Sequence, residues 1–217
     1  MKKFNLWVSI ISSIVGIISG ALYYILVGTN VIVAHKISYL FLLGYIATSW
    51  IPFILQLLLK IKIDKVANIV YQLFLFFSIL VGSLWGMYGS MPSYDIILHT
   101  MSGLVIAFIA YSLFKNSKKN NSLSLAWLFV LIFSITMMCG GLWEIWEFST
   151  DILLGGDSQR VGDLVGRAAI MDTMIDILCD FVGGIVGSIF VVLIERKCRK
   201  YSNTEKSSFI NNEISVK

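Results

Sequence analysis

Charge is scarce in this chain. Asp, Glu, Lys and Arg supply 14% of its 217 residues, where soluble domains carry about 25%. With a hydrophobic share of 57%, that excludes an ordinary soluble globular protein. Cysteine is equally thin: Cys139 and Cys179 sit in apolar runs and Cys198 lies near the C-terminus. The three offer neither a disulfide framework nor a C-x-x-C metal pair, and a buried Cys is more often a small apolar residue than a reactive one. No spacing matches a zincin, a P-loop or a nucleophile elbow, so no motif names a reaction. Internal repeats, low-complexity tracts and long linkers are missing too, and nothing argues for a second domain.

What the chain does have is apolar length. Mean hydropathy is +0.82, and runs of about twenty residues, the length that spans a bilayer as a helix, lie at 5–27, 38–60, 66–90, 95–114, 124–150 and 171–195. The expectation is an all-α polytopic membrane protein of six transmembrane helices. It comprises one integral domain over 1–200 and a disordered cytoplasmic tail over 201–217. The third and fourth spans are joined by a short turn around Pro92. In the first span Ser12, Gly16 and Gly20 recur every four residues, a stripe suited to close helix packing. That run is too long for a signal peptide and has no clear cleavage site, so it reads as an anchor.

Placing both termini in the cytoplasm divides Lys and Arg 14 inside to 3 outside, a positive-inside pattern. The three outside are Lys36, Arg160 and Arg167. The basic C-terminal segment then faces anionic inner-leaflet lipid, not nucleic acid.

Acidic residues run the other way. Nine of thirteen lie between Asp95 and Asp180, and ionisable groups inside spans mark functional sites by default. Asp95 and His99 are four apart and share a helix face. Glu144, Glu147 and Asp151 follow at i, i+3 and i+7, and Asp172, Asp176 and Asp180 at i, i+4 and i+8. Asp95 and Asp172 also suit helix N-termini as caps. The acids at the end of the fifth span face an unfavourable dipole and repel one another, so they need protonation, a cation or Arg partners. Gly183, Gly184 and Gly187 would admit a close neighbour and bring the acidic faces of the fifth and sixth spans together.

Inward-facing Glu, Asp and His resemble the metal sites of helix bundles. The candidate metal ligands are Asp95, His99, Glu144, Glu147, Asp172, Asp176 and Asp180. Carboxylates without thiolates suit Mg²⁺, Mn²⁺ or Ca²⁺, and His99 admits Zn²⁺ or Fe²⁺. Among them His99, Glu147 and Asp176 are the candidates for catalysis, with His99 as a ligand or general acid/base. Arg160 and Arg167, on the glycine-rich 152–170 connection, would contact a phosphate or else balance nearby acids.

The block Tyr94-Asp95-x-x-x-His99-x-x-x-Gly103, Gly141-Leu142-Trp143-Glu144-x-x-Glu147-Phe148, Asp172-Thr173-x-x-Asp176 and Gly183-Gly184 resembles bacterial inner-membrane proteins of the YjdF type. More distantly it is similar to the VanZ-like family, whose outline runs Asp…His, then Glu, then Asp followed by Gly. Asp180 departs from the Asn usual there, and Gln159 lies far beyond Glu147. The resemblance implies a bacterial cytoplasmic membrane location and a recurrent membrane-embedded polar site, and it supplies no reaction. Three readings stand: an outward-facing divalent-cation site handling a phosphorylated lipid or envelope precursor, a proton- or cation-linked transporter or sensor, and a non-catalytic envelope or immunity protein with a structural acidic network. Crowding of the acids at the outer helix ends favours the first.

Overall fold

The computed structural model describes residues 2–33, 38–58, 60–91, 93–115, 123–159, 161–162 and 164–215. No strand occurs among them. Six helical spans are long and apolar enough to cross a membrane: Lys2–Gly28, Ser38–Leu58, Lys65–Leu84, Tyr94–Lys115, Leu125–Leu154 and Ala168–Ser202. They coincide with the six apolar runs. The turn at Pro92, together with Lys36, Arg160 and Asp163, lies outside the described residues.

α1 (Lys2–Gly28) packs through its small-residue stripe, with Ser12, Gly16 and Gly20 all buried. A Cβ on Gly16 would lie 2.8 Å from the Tyr45 ring, and one on Gly20 would strike Leu42. Both neighbours belong to α2 (Ser38–Ser49). Between lipid-solvated helices such close van der Waals contact drives association, because lipid tails are as apolar as the side chains.

The second span is two helices, not the single run expected. α2 ends at Ser49, and α3 (Ile51–Leu58) carries Pro52. Proline has no N–H to give the Thr48 carbonyl, and its ring crowds the preceding turn. Neighbouring helices satisfy the freed carbonyls. The Tyr71 hydroxyl donates to Thr48 O at 2.9 Å, while Ser9 Oγ and Gln72 Nε2 donate to Ser49 O at 2.9 and 2.8 Å. A break inside hydrocarbon is tolerable only with such partners. Gln72 and Asn68 lie on α4 (Lys65–Leu75). Asn68 donates to Asn5 at 3.0 Å and Asn5 donates to Gln56 at 2.5 Å, so buried amides tie α1, α3 and α4 together.

α4 widens into a π-helical segment, Phe76–Leu84, closed by Trp85 N donating to Leu80 O at 2.8 Å. Gly86 then turns the chain at φ 74, a conformation that costs other residues strain. After the short α5 (Met87–Ser90) come the three helices of the second half: α6 (Tyr94–Lys115), α7 (Leu125–Leu154) and α8 (Met171–Ser215), the last preceded by a 3₁₀ turn at Ala168–Ile170. Each half has its own apolar core. Tyr23, Tyr45, Leu75, Leu80 and Leu84 form the first; Ala107, Ala110, Tyr111, Leu128, Ile132 and Val191 form the second. The halves meet chiefly where α4 touches α6, and α6 packs most extensively on α8.

That last contact is backbone on backbone. A Cβ on Gly103 would sit 2.5 Å from Gly184 N, one on Gly183 would collide with the Thr100 carbonyl, and one on Gly187 would lie 2.7 Å from the Ala107 Cβ. The glycines were expected to serve the pairing of the fifth and sixth spans. Gly183 and Gly187 instead admit α6, the fourth span, and Gly184 also faces α7 at Thr136. At the opposite end of this bundle from Asp95, buried Glu195 accepts from Tyr111 Oη and Arg199 Nε, both at 2.8 Å, and Arg199 Nη1 donates to Leu123 O at 2.9 Å.

Two glycine substitutions test this packing. Gly183→Ala should destabilise the protein by about 1–3 kcal/mol, the usual cost of overpacking. Gly44→Ala, which meets nothing within 4 Å, should be neutral or stabilising by about 0.5–1 kcal/mol. Thermal unfolding in detergent reads both, and equal effects would contradict the close approach.

Candidate metal centre

Asp95 lies in the first turn of α6 and His99 one turn deeper, both buried. Because α8 presses against α6 at Gly103, the Asp176 and Asp180 side chains of α8 reach the His99 ring from two sides. Asp180 Oδ2 is 3.3 Å from His99 Nδ1. The other ring nitrogen, Nε2, faces Asp95 Oδ1 at 3.6 Å, Asp176 Oδ2 at 3.9 Å and Glu144 Oε1 at 4.0 Å. One imidazole therefore has a single carboxylate on one nitrogen and three on the other.

The Nδ1 side is a hydrogen-bonded support. Ser102 Oγ is 2.5 Å from Asp180 Oδ1 and 2.7 Å from the His99 carbonyl, with one proton to give between them. Gly140 of α7 leaves the room this requires, since a Cβ there would strike Asp180. A carboxylate on Nδ1 fixes the ring's orientation and directs Nε2 into the cluster, as outer-shell carboxylates do for metal-binding histidines.

The Nε2 side is different. Its three carboxylates stand beyond hydrogen-bond reach of the ring. Asp176 is 2% exposed and Glu144 is 5% exposed. Neither Glu144 oxygen, nor Asp176 Oδ2, has a hydrogen-bond partner among the described residues, although Thr173 lies alongside Glu144. Carboxylates buried without donors are costly, and such groups normally pair or coordinate a metal. One ligand atom from each of Asp95, His99 and Asp176 falls within 4.8 Å of the others. Ligands around a tetrahedral ion at its usual bond lengths stand about 3.3 Å apart. The ring-to-carboxylate distances of 3.6, 3.9 and 4.0 Å thus need to contract by about 0.3 to 0.7 Å, and the donor set of one nitrogen and several oxygens suits Zn²⁺, Mn²⁺ or Fe²⁺.

Glu147 and Asp172 flank the cluster, within electrostatic range of its carboxylates. Asp172 is half-buried in the first turn of α8, one turn outward from Asp176. Glu147 is half-buried, and its Oε1 accepts from Trp143 Nε1 at 2.9 Å. Asp151 folds the following connection, accepting from Ser158 N at 2.7 Å and Gln159 N at 2.9 Å. That connection returns to α8, where Gln159 Nε2 donates to Thr173 Oγ1 at 2.9 Å. Arg167 is exposed immediately before the 3₁₀ turn, and Arg160 lies outside the described residues.

Sequence reasoning did not find the role of Ser102 or the Gln159–Thr173 link. Ser102 carried a usable signal, since it follows His99 by three residues on the same face. Gln159 carried none, because its place depends on how the loop folds back. The Glu195–Arg199 pair was visible only as an i, i+4 spacing at the end of the last span.

Ser102→Ala should leave Asp180 short of a donor at a 2% exposed position, destabilising by about 1–3 kcal/mol. Glu147→Gln keeps an acceptor for Trp143 and should change stability by less than about 0.5 kcal/mol. Thermal unfolding of both variants distinguishes the support from the half-buried carboxylate.

A family model described as "Predicted membrane protein (DUF2238)" matches residues 14–197, and this is the YjdF family. The match runs from within the first span to within the sixth, well beyond the 94–187 block that carries the resemblance in the sequence. No curated protein and no solved structure matches the chain.

Proposed function

We propose, for a chain that belongs to the DUF2238 family of predicted membrane proteins, that Asp95, His99, Glu144 and Asp176 hold one divalent metal ion inside the membrane-spanning bundle. The observation that carries this reading is the convergence of three carboxylates on His99 Nε2, with Asp176 Oδ2 making no hydrogen bond among the described residues and the Thr173 hydroxyl beside Glu144. A divalent charge at their centre would offset the repulsion and desolvation that the protein's own groups leave uncompensated. Asp180 and Ser102 orient the imidazole, and Asp172 and Glu147 stand outside the ligand set.

The site is one-sided. It sits in the N-terminal turns of α6 and α8. Beneath it the second apolar core closes the bundle, with Ala107, Leu128, Ile132 and Val191 almost wholly buried. This favours a surface-proximal reaction or binding site over a conducting path. A metal ion here would polarise a phosphoryl oxygen and acidify a bound water. Arg167, exposed at the mouth of the same bundle, would pair with phosphate oxygens. We therefore read the ligand as a phosphorylated lipid or envelope precursor reaching the site from the outer leaflet.

Metal content of detergent-purified protein tests the first step. The parent should retain close to one equivalent of a transition ion by mass spectrometry, and Asp176→Asn/Glu144→Gln should retain none while remaining monodisperse. Asp180→Asn should weaken affinity by about 10- to 100-fold, the usual effect of removing an outer-shell partner. A parent that takes up no Zn²⁺, Mn²⁺, Fe²⁺, Mg²⁺ or Ca²⁺ after incubation would remove the reading.

The second step is tested by phosphate release from polyprenyl mono- and diphosphates in detergent. The metal-loaded parent should release it and the Asp176→Asn/Glu144→Gln variant should not. Identical rates in both would separate the metal site from lipid chemistry.

A further inference from the structure

We propose that the groove between α3, α4 and α6 binds one anionic phospholipid, with an acyl chain in the groove and the headgroup on the Lys60–Lys65 turn. This site is separate from the metal centre and does not depend on it. Its floor is a cavity of 70 Å³ lined by Pro52, Leu55, Ile63, Ala67, Ile109 and Leu113 among others. The cavity has room for about two or three methylene groups, each close in volume to a water molecule.

The cavity exists because of local sequence. Pro52 breaks the second span and redirects α3, and the small side chain of Ala67 fails to fill the gap against α6. It lies where the two halves of the protein meet, at the α4–α6 contact. In a bilayer an unfilled apolar groove on a helix seam forfeits dispersion contacts, and the available filler is an acyl chain.

Charge selects the headgroup. Lys60, Lys62 and Lys65 are exposed and lie within three residues of Ile63, which lines the groove. The one acid among them, Asp64, is engaged as the α4 N-cap, its Oδ1 accepting from Val66 N at 2.9 Å and Ala67 N at 3.4 Å. Lys65 Nζ stands 5.2 Å from the centre of the Phe4 ring, held beside α1. Three ammonium groups against one carboxylate attract an anionic headgroup. A second copy docked symmetrically here would set these lysines against their own counterparts, which like-charge repulsion disfavours.

Native mass spectrometry of the full-length protein in detergent, titrated with phosphatidylglycerol or phosphatidylcholine of the same acyl chains, tests the proposal. The parent should retain one phosphatidylglycerol at least about fivefold better than phosphatidylcholine, since each basic residue near a headgroup adds to the attraction. Lys60→Gln/Lys62→Gln/Lys65→Gln should bring the two lipids to parity. Leu113→Trp, on the half-exposed rim, should fill the groove and abolish the retained lipid with metal content unchanged; Ile109→Phe serves the same purpose if that variant does not fold. Equal retention of both lipids by the parent would overturn the proposal. So would a preference that survives the lysine substitutions, which would place the lipid on the basic stretch of α8, or retention unaffected by both groove-filling variants.

Discussion

The contact of α6 with α8 at Gly103, Gly183 and Gly187 is the constraint on which the second half of this protein depends. Helices ordinarily stand 8–10 Å apart, and side chains between them would separate Asp176 and Asp180 from His99. Removing the Cβ atoms at the crossing lets the backbones meet. One turn outward, the same approach forces four carboxylates around a single imidazole.

The two halves solve the problem of buried polarity differently. The first uses neutral groups: amides of Asn5, Gln56, Asn68 and Gln72, with serine and tyrosine hydroxyls, pair with one another and with the carbonyls freed by Pro52. Almost every group finds a partner within the protein, as expected of a network whose role is to hold a broken helix. The second half uses ionisable groups and leaves several without donors among the described residues. A satisfied network reads as architecture and an unsatisfied one as a binding site.

Within the second half there is a further division along the bundle. At one end Glu195 is matched by Arg199 and Tyr111. At the other, the buried carboxylates of Glu144 and Asp176 face His99 without an Arg or Lys partner among the described residues. Between them lies an apolar layer. The two ends of the bundle therefore differ in how their buried charge is matched.

The six spans, the absence of strands among the described residues and the sharing of a face by Asp95 and His99 or by Asp176 and Asp180 were legible from the sequence. So was the close packing of Ser12, Gly16 and Gly20. These follow from apolar length and helical periodicity, which are local properties. The break at Pro52 was present in the residue type, but its tolerance was not, because the donors come from Ser9, Tyr71 and Gln72 on other helices. Periodicity gives the face on which a side chain lies and says nothing of which neighbour that face meets. Only the tertiary structure decided that Gly183 and Gly187 admit α6, that Asp180 takes Nδ1 while Asp95, Asp176 and Glu144 surround Nε2, and that Asp151 folds a loop instead of joining the cluster. Those outcomes depend on the rotation and depth of three helices relative to one another. Backbone contacts far from the acids in sequence set that rotation and depth.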